Sequence, residues 1–294
     1  MRKLKTMVFI GLLTFVVIVV LYPTVTDFSI YNPGWNGYSM LKEKLGATII
    51  VENFEKTLNS ISNPKETALI TVAYKPYSMF ELEAVRNYLT YGGTLILMDD
   101  YGYGNLVLNY LNTPLTIAKN SSLLDPFENF KNKKFPKAKV VGENKYIVLN
   151  HASAIIVGKE ESQIKIVTIL AYSSPFAYLD LNGNEVWDKD EPKGPLPIAA
   201  SLKYGEGTLI VISDPSIVIN SMLNFENNLE FIEKLVKGKK VFIDQTHMPK
   251  SLHEQLKEIT FSIVNNYLLH PLTYIVLLIS IAVFMLRRTI KITR

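Results

Sequence analysis

The chain of 294 residues contains no cysteine, and only four histidines and two tryptophans. Without cysteine there are no disulfides, thiolate metal centres or cysteine nucleophiles, and the redox compartment leaves no mark on the sequence. No G-x-S-x-G segment occurs either, so the strand-to-helix elbow that usually presents a serine nucleophile is missing. Apolar residues are plentiful. At 48% hydrophobic and 20% charged, the chain can build one α/β domain of ordinary size with extras. No internal repeat is visible.

Charge is distributed unevenly. Arg2, Lys3, Lys5, Arg287, Arg288, Lys291 and Arg294 are seven cations in the two tails, and all 27 acids lie between them. The middle therefore holds 24 of the 31 cations against 27 acids, a net of −3. A mildly acidic middle argues against nucleic acid as a partner, because phosphate binding needs a basic face.

Two uncharged apolar runs sit just inside those basic tails, at residues 7–22 and 272–286. With their flanks (4–25 and 267–286) each reaches the roughly 20 residues needed for a spanning helix. Basic residues on the outer side of both runs place both termini in the cytoplasm, so everything between lies outside. The expected organisation is a tail and first transmembrane helix over 1–25 and an extracytoplasmic α/β domain over 26–250. A helix, second transmembrane helix and basic tail follow over 251–294. A cleaved signal peptide is the competing reading of the first run, but no small-x-small cleavage site precedes Tyr22-Pro23. A buried core helix is the competing reading of the second, and RRTIKITR after it argues against that.

Strands are expected at 27–31, 47–51, 67–73, 94–98, 208–213 and 240–243. Helices are expected at 38–45 (stopped by Gly46), after Ser78, and at 227–237 (stopped by Gly238). Ser78-Met79-Phe80-Glu81 and Ser251-Leu252-His253-Glu254 have the spacing of capping boxes. Strand, helix, strand alternation predicts a mostly parallel, doubly wound sheet. Residues 115–172 read instead as an antiparallel β insertion, with a hairpin around Gly142-Glu143-Asn144 and with Phe127, Phe130 and Phe135 packed beneath a lysine-rich loop.

Parallel strands present their carboxyl ends on one rim, where open α/β sheets bind ligands. Tyr74, Asp99, Asp100, Asp214, Asp244 and His247 follow strand ends and are the candidate rim residues. A metal-assisted hydrolase could use Asp99, Asp214, Asp244 and His247, and a serine hydrolase could draw on Ser39, Ser213 or Ser216. The competing reading of each acid is structural: a helix cap or turn anchor, as Asp214-Pro215-Ser216 suggests.

Asn36-Gly37-Tyr38-Ser39, Tyr91-Gly92-Gly93-Thr94-Leu95-Ile96-Leu97, Gly205-Glu206-Gly207-Thr208-Leu209-Ile210 and Asp244-Gln245-Thr246-His247, in this order, resemble the class I glutamine-amidotransferase-like fold. The likeness is to its membrane-anchored relatives of unknown function, and it covers roughly residues 27–248. Active members of that fold carry a cysteine on a sharp turn after a core strand, with a histidine base. The comparable turn here is Asp99-Asp100-Tyr101-Gly102, so the resemblance implies the fold without that chemistry. It also implies association with membrane-bound ATPase systems, beside which such relatives are often encoded.

Residues 180–191 (DLNGNEVWDKDE) have calcium-loop spacing. Asp180, Asn182, Asn184, Asp188 and Glu191 fall at positions 1, 3, 5, 9 and 12, and Val186 offers its carbonyl at position 7. Glu185 replaces the usual glycine at position 6, flanking prolines deny the loop two helices, and Trp187 is expected to anchor it to the core. The competing reading is an ion-free acidic turn. The combined expectation is a membrane-anchored, non-catalytic ligand-binding or interaction module with a structural calcium. A metal-dependent or serine hydrolase and a structural subunit of a membrane complex are the alternatives.

Overall fold

The structure, a computed structural model, describes residues 2–158 and 166–264, together with Ile275. The chain divides into two compact units, Val25–Pro249 and a second made of Met1–Thr24 with Lys250–Arg294. The helices are α1 (Arg2–Leu21), α2 (Ser39–Leu45), α3 (Phe54–Asn59), α4 (Met79–Thr90), α5 (Asn105–Tyr110), α6 (Asn228–Leu235) and α7 (Leu252–Ile263). The strands are β1 (Thr48–Ile50), β2 (Thr67–Val72), β3 (Thr94–Met98), β4 (Leu115–Ile117), β5 (Ser122–Leu124), β6 (Lys137–Val140) and β7 (Tyr146–Val148). They continue with β8 (Ile155–Val157), β9 (Val167–Ser173), β10 (Tyr178–Asp180), β11 (Pro197–Tyr204), β12 (Gly207–Ile212) and β13 (Lys240–Asp244).

In the second unit, Lys3–Leu21 is long and apolar enough to cross a membrane, and nearly all of its side chains are exposed. At about 1.5 Å per residue its length matches a bilayer's hydrocarbon core. The carbonyls at its C-terminal end, which lack helical partners, are met by α7. His253 Nε2 donates to the Val19 carbonyl at 3.0 Å, and Lys257 Nζ donates to that of Tyr22 at 2.7 Å. Ser251 caps α7 by accepting from the Glu254 N–H. The second apolar run expected at 267–286 lies outside the described residues.

In the Val25–Pro249 unit, nine strands form one sheet in the order β1-β13-β2-β3-β12-β11-β9-β6-β7. The five from β1 to β12 pair in parallel. Every residue of β2 and β3 is buried, the continuous apolar pattern of strands covered on both faces. Alternation sends Ala68, Ile70 and Val72 to one core and Leu69 and Ala73 to the other. The first core receives Leu41 of α2 and Ile232 of α6, and the second receives Phe54 of α3, Leu82, Val85 and Leu89 of α4, and Leu108 of α5. The Ser78 box is present in full, which typically adds about 1 kcal/mol to a helix start.

The two glycine motifs of the sequence meet. The turn between β11 and β12 lies against the end of α4, where the Glu206 N–H donates to the Thr90 carbonyl and the Thr208 N–H to that of Gly93. A Cβ at Gly207 would stand 2.4 Å from the carbonyl oxygens of both Gly93 and Leu89, so only glycine allows this approach.

Three expectations are corrected. The sheet is not mostly parallel: its second half, from β12 through β7, is antiparallel, and the 115–172 region supplies strands β9, β6 and β7 to the same sheet. The hairpin turn lets β11 fold back along the free edge of β12, and each later strand adds to the edge before it. Asn228 closes the far edge by accepting from the Val148 N–H at 2.8 Å and donating to the Val148 carbonyl at 2.9 Å. Likewise, residues 27–31 form turns, not a strand. Phe28 sits at φ +59°, and the ladder is replaced by local turn bonds together with one distant side chain. Gln245 accepts from the Ile30 N–H and donates to the Phe28 carbonyl, both at 3.1 Å. Of the three phenylalanines expected to pack, Phe130 and Phe135 are half-buried against the core, but Phe127 is exposed.

Gln245→Leu leaves two buried backbone groups without partners, at about 1–3 kcal/mol each. Urea unfolding of this variant is expected to show a loss of roughly 2–6 kcal/mol, on the same principle, and Gln245→Glu, which can still accept from the Ile30 N–H, a smaller one.

Candidate functional site

Register decides what meets at the carboxyl rim. Val72 is level with Met98, and Met98 with Ile212, so β2, β3 and β12 end together at Ala73, Asp99 and Ser213. The Asp99 N–H donates to the Ile212 carbonyl, carrying the ladder one residue further. β13 lies on the far side of β2, about 10 Å from β3 at the usual strand spacing.

Three of the four expected strand-end acids turn their oxygens onto neighbouring groups. Asp99 accepts from the N–H groups of Tyr101 (2.8 Å), Gly102 (3.1 Å) and Gly104 (2.6 Å), shaping the loop that enters α5. Asp214 accepts from Ser216 N and Asn150 N, each at 2.7 Å, so it caps the Pro215–Val218 turn and ties down the 150 loop. Asp244 accepts from Thr71 Oγ1 at 2.8 Å and from the Thr246 N–H and hydroxyl at 2.7 and 2.6 Å. These are the structural roles that caps and turns assign to short acids.

Asp244 and His247 form a cluster of their own. His247 Nδ1 is 2.6 Å from Asp244 Oδ2, and its Nε2 is 3.6 Å from Glu81 Oε1. Tyr77 stacks on the ring at 3.8 Å, Phe54 meets it edge-on at 4.9 Å, and only 3% of His247 is exposed. Burial pushes the Asp244 carboxyl up, but the hydrogen bonds and charge of His247, with those of Thr246 and Thr71, outweigh it and hold the group below its usual range. Glu81, which the sequence marked only as a cap, completes this sealed cluster while accepting from Ser78 N at 2.8 Å. Such an aspartate–histidine pair has the form of a base and its orienting group. Enclosed by two aromatic rings and a second carboxylate, it offers no substrate a face.

Asp100 differs from the other acids. Its Oδ1 is buried and has no hydrogen-bond partner among the described residues. It lines a cavity of about 590 Å³ walled by Trp35, Tyr101, Phe130 and Phe135, with Ser216 and His151 also at its surface. Burial, then the charges of Asp214 and Asp99, push the Asp100 carboxyl up to about 8. Burial lifts Asp214 to about 7 against the pull of its N–H partners. Tyr38, fully buried, donates to the Pro215 carbonyl at 2.5 Å, and burial followed by the Asp214 and Asp100 charges raises its phenol. Tyr74 stands at the margin, edge-on to Tyr101 at 5.2 Å.

The structure thus brings Tyr74, Asp99, Asp100 and Asp214 together and sets Asp244 with His247 apart. Trp35, Phe130, Phe135 and Asn150 were not singled out as site residues. They arrive from loops distant in sequence, and the Asn36-Gly37 motif beside Trp35 is the nearest local signal. The serine candidates divide similarly: Ser213 is buried and donates to the Ser153 carbonyl at 3.0 Å, whereas Ser216 reaches the cavity.

The 180–191 loop is closed by its own amides. Asp180 accepts from Gly183 N and Glu185 N, and Glu191 accepts from Leu181 N and Asp188 N. Asn182 and Asn184 accept from Asn184 N and Val186 N and donate to Asp188 Oδ2. Among the described residues no group of three or more His, Asp or Glu side chains converges as a metal-holding set. Trp187 does not anchor the loop in the core. It is 43% exposed, bonded to the Glu191 carbonyl, with the Lys193 ammonium over its ring at 5.0 Å.

A carboxyl whose folded pKa exceeds its unfolded value favours folding at low pH. For Asp100 that contribution is full below about 4 and is lost as pH rises to about 8. Asp100→Asn is therefore expected to raise the melting temperature at pH above 8 and to change it little at pH 4, read by thermal unfolding across the range.

No curated protein matches the sequence. Among solved structures, the N-terminal domain of mmIFT52 is similar at a TM-score of 0.48 and 14% identity, over 68% of this chain and 90% of that one. A cytoplasmic protein from Salmonella typhimurium LT2 is similar at 0.39 and 15%, over 65% and 78%. A beta-galactosidase from Bacillus circulans sp. alkalophilus is similar at 0.37 and 12%, over 59% of this chain but only 23% of its own. Likenesses of this size carry no functional inference. The family model described as Domain of unknown function (DUF4350) matches residues 30–236, most of the Val25–Pro249 unit, and the chain belongs to that family.

Proposed function

We propose that this protein is a membrane-tethered binding module that takes a small ligand in the rim cavity without transforming it. The observation that carries this reading is Asp100: a buried carboxyl oxygen without a partner, in the wall of a cavity of about 590 Å³. Cavities of this size with aromatic walls and a few polar groups are the usual form of small-molecule sites. Against turnover stand the absence of cysteine and the enclosure of the histidine that has an aspartate partner. The histidine with an aspartate orienter is therefore not the one that faces the cavity; His151, which does line it, has no carboxylate hydrogen-bonded to its ring among the described residues. The likeness to the class I glutamine-amidotransferase-like fold belongs to this reading as well, through the Asp99–Gly102 turn at the end of a parallel strand. So does the topology: α1 as the anchor in a lipid bilayer, the cavity-bearing unit outside, and other membrane proteins or an ATPase system as partners. In a thermal-shift screen of metabolites with full-length protein, hits are expected to lose their shift in Ser221→Trp, which fills the cavity from an exposed position. Chromogenic ester, amide and glycoside substrates are expected to be left intact. Turnover of any of them that Ser221→Trp abolishes would overturn the non-catalytic reading.

A second proposal concerns the 180–191 loop, as a calcium staple using Asp180, Asn182, Asn184, the Val186 carbonyl, Asp188 and Glu191. In support, Glu185 adopts φ +61° at position 6, the left-handed turn that glycine supplies in calcium loops, and Asp180 and Glu191 are buried carboxylates. Titration with millimolar calcium, the affinity range of extracellular loops, is expected to change Trp187 fluorescence. Asp180→Ala is expected to abolish the change, and an unchanged spectrum in the parent protein would end the proposal.

A further inference from the structure

The cavity combines two features that select a ligand by charge. Its walls are aromatic: Phe28, Trp35, Tyr101, Phe130 and Phe135 all line it. Its acid is uncompensated. Among the described residues, no ion pair within 4.0 Å includes Asp99, Asp100 or Asp214. The charged and titratable groups around Asp100 come from several elements. Asp99 precedes it just past the end of β3, Asp214 follows β12, Tyr38 precedes α2, and Tyr101 comes next in the chain. Asp27, held by the Asn36 amide, Lys131 and His151 also line the cavity. The Lys131 ammonium stands 5.2 Å from the Phe130 ring centre, so the field over these rings already holds one cation.

Resting on the reading of this cavity as a ligand site, we infer that its ligand is a small organic cation, an ammonium group on an apolar body. Its charge sits at Asp100 and its body lies against the aromatic rings. A buried carboxyl without a partner gains most from an opposite charge, because the low dielectric that penalises it alone strengthens the pair. Aromatic faces attract ammonium groups through their quadrupole and bury the apolar body at the same time. A bare metal ion is the poorer guest, since hard cations require six or more oxygens where this wall offers rings. A neutral polyol would leave the carboxyls uncompensated. Binding a cation favours ionised Asp100 and Asp214, which are held up near 8 and 7, so binding releases protons and weakens as pH falls.

The test uses the full chain in detergent with Trp187→Phe, so that Trp35 is the remaining tryptophan reporter. Choline, whose charge does not titrate, is compared with its uncharged isostere 3,3-dimethyl-1-butanol and with lactose. Choline is expected to bind about ten-fold or more tightly than the isostere, a charge contribution of roughly 1.4 kcal/mol. Its affinity is expected to fall by about ten-fold or more between about pH 9 and about pH 6, as one carboxyl takes up its proton. Asp100→Asn is expected to remove most of the charge preference and the part of the pH dependence centred near 8, leaving only the weaker part that Asp214 contributes near 7, while leaving the protein folded by circular dichroism. Equal binding of choline and its isostere, or binding of lactose alone, would overturn the cation assignment. If Ser221→Trp abolished that binding, the cavity reading itself would stand. Failure of all three probes to bind overturns the cation assignment, and the metabolite screen decides the cavity reading separately.

Discussion

The parallel register of β2, β3 and β12 is the constraint on which the rest depends. Three strands that end at the same level place three chain reversals side by side, and each reversal leaves backbone N–H groups that need acceptors. Asp99 and Asp214 meet that need at two of them, and Asp244 does so at the end of β13. The acidic character of the rim is therefore largely a consequence of its architecture. Short carboxylates stand there because they hold turns together.

That accounting is what distinguishes Asp100. It follows a residue already engaged with three amides, it is buried by the same turn, and nothing bonds its Oδ1 among the described residues. Burial above all, and then two carboxyls within electrostatic reach, hold its proton to a pH where ordinary aspartates are long ionised. Burying an unpaired polar atom costs stability unless something is gained elsewhere, and functional sites are where proteins carry such costs. The adjacent aromatic cavity gives that cost a purpose. The Asp244–His247 pair shows the opposite case: a perturbed aspartate whose partners are all in place, beside a histidine stacked under an aromatic ring.

The antiparallel half of the sheet contributes to the site by what it carries rather than by its strands. The loops bearing Phe130, Phe135 and Asn150 flank β6 and β7, and extending the single sheet brings them alongside the rim. The 115–172 region is thus part of the architecture of the site. Asn228, which pairs with the last edge strand through its side chain, ends the sheet where further pairing would otherwise invite another chain.

Local and short-range signals in the sequence determined much of this protein. The buried runs at β2, β3 and β12, the Ser78 box, the glycine stops of α2 and α4, the hairpin at Gly142 and the apolar α1 were legible because each depends on neighbours within a few residues. The acids at the strand ends were legible for the same reason. Tertiary structure alone decided which of them is free. A hydrogen bond such as Asn150 to Asp214, or Gln245 bridging Phe28 and Ile30, joins residues 64 to 217 positions apart and leaves no periodic trace. The missing strand at 27–31 has that origin. Its alternating apolar residues fit a strand, yet local turn bonds and one distant glutamine satisfy the backbone and leave a loop beside the cavity.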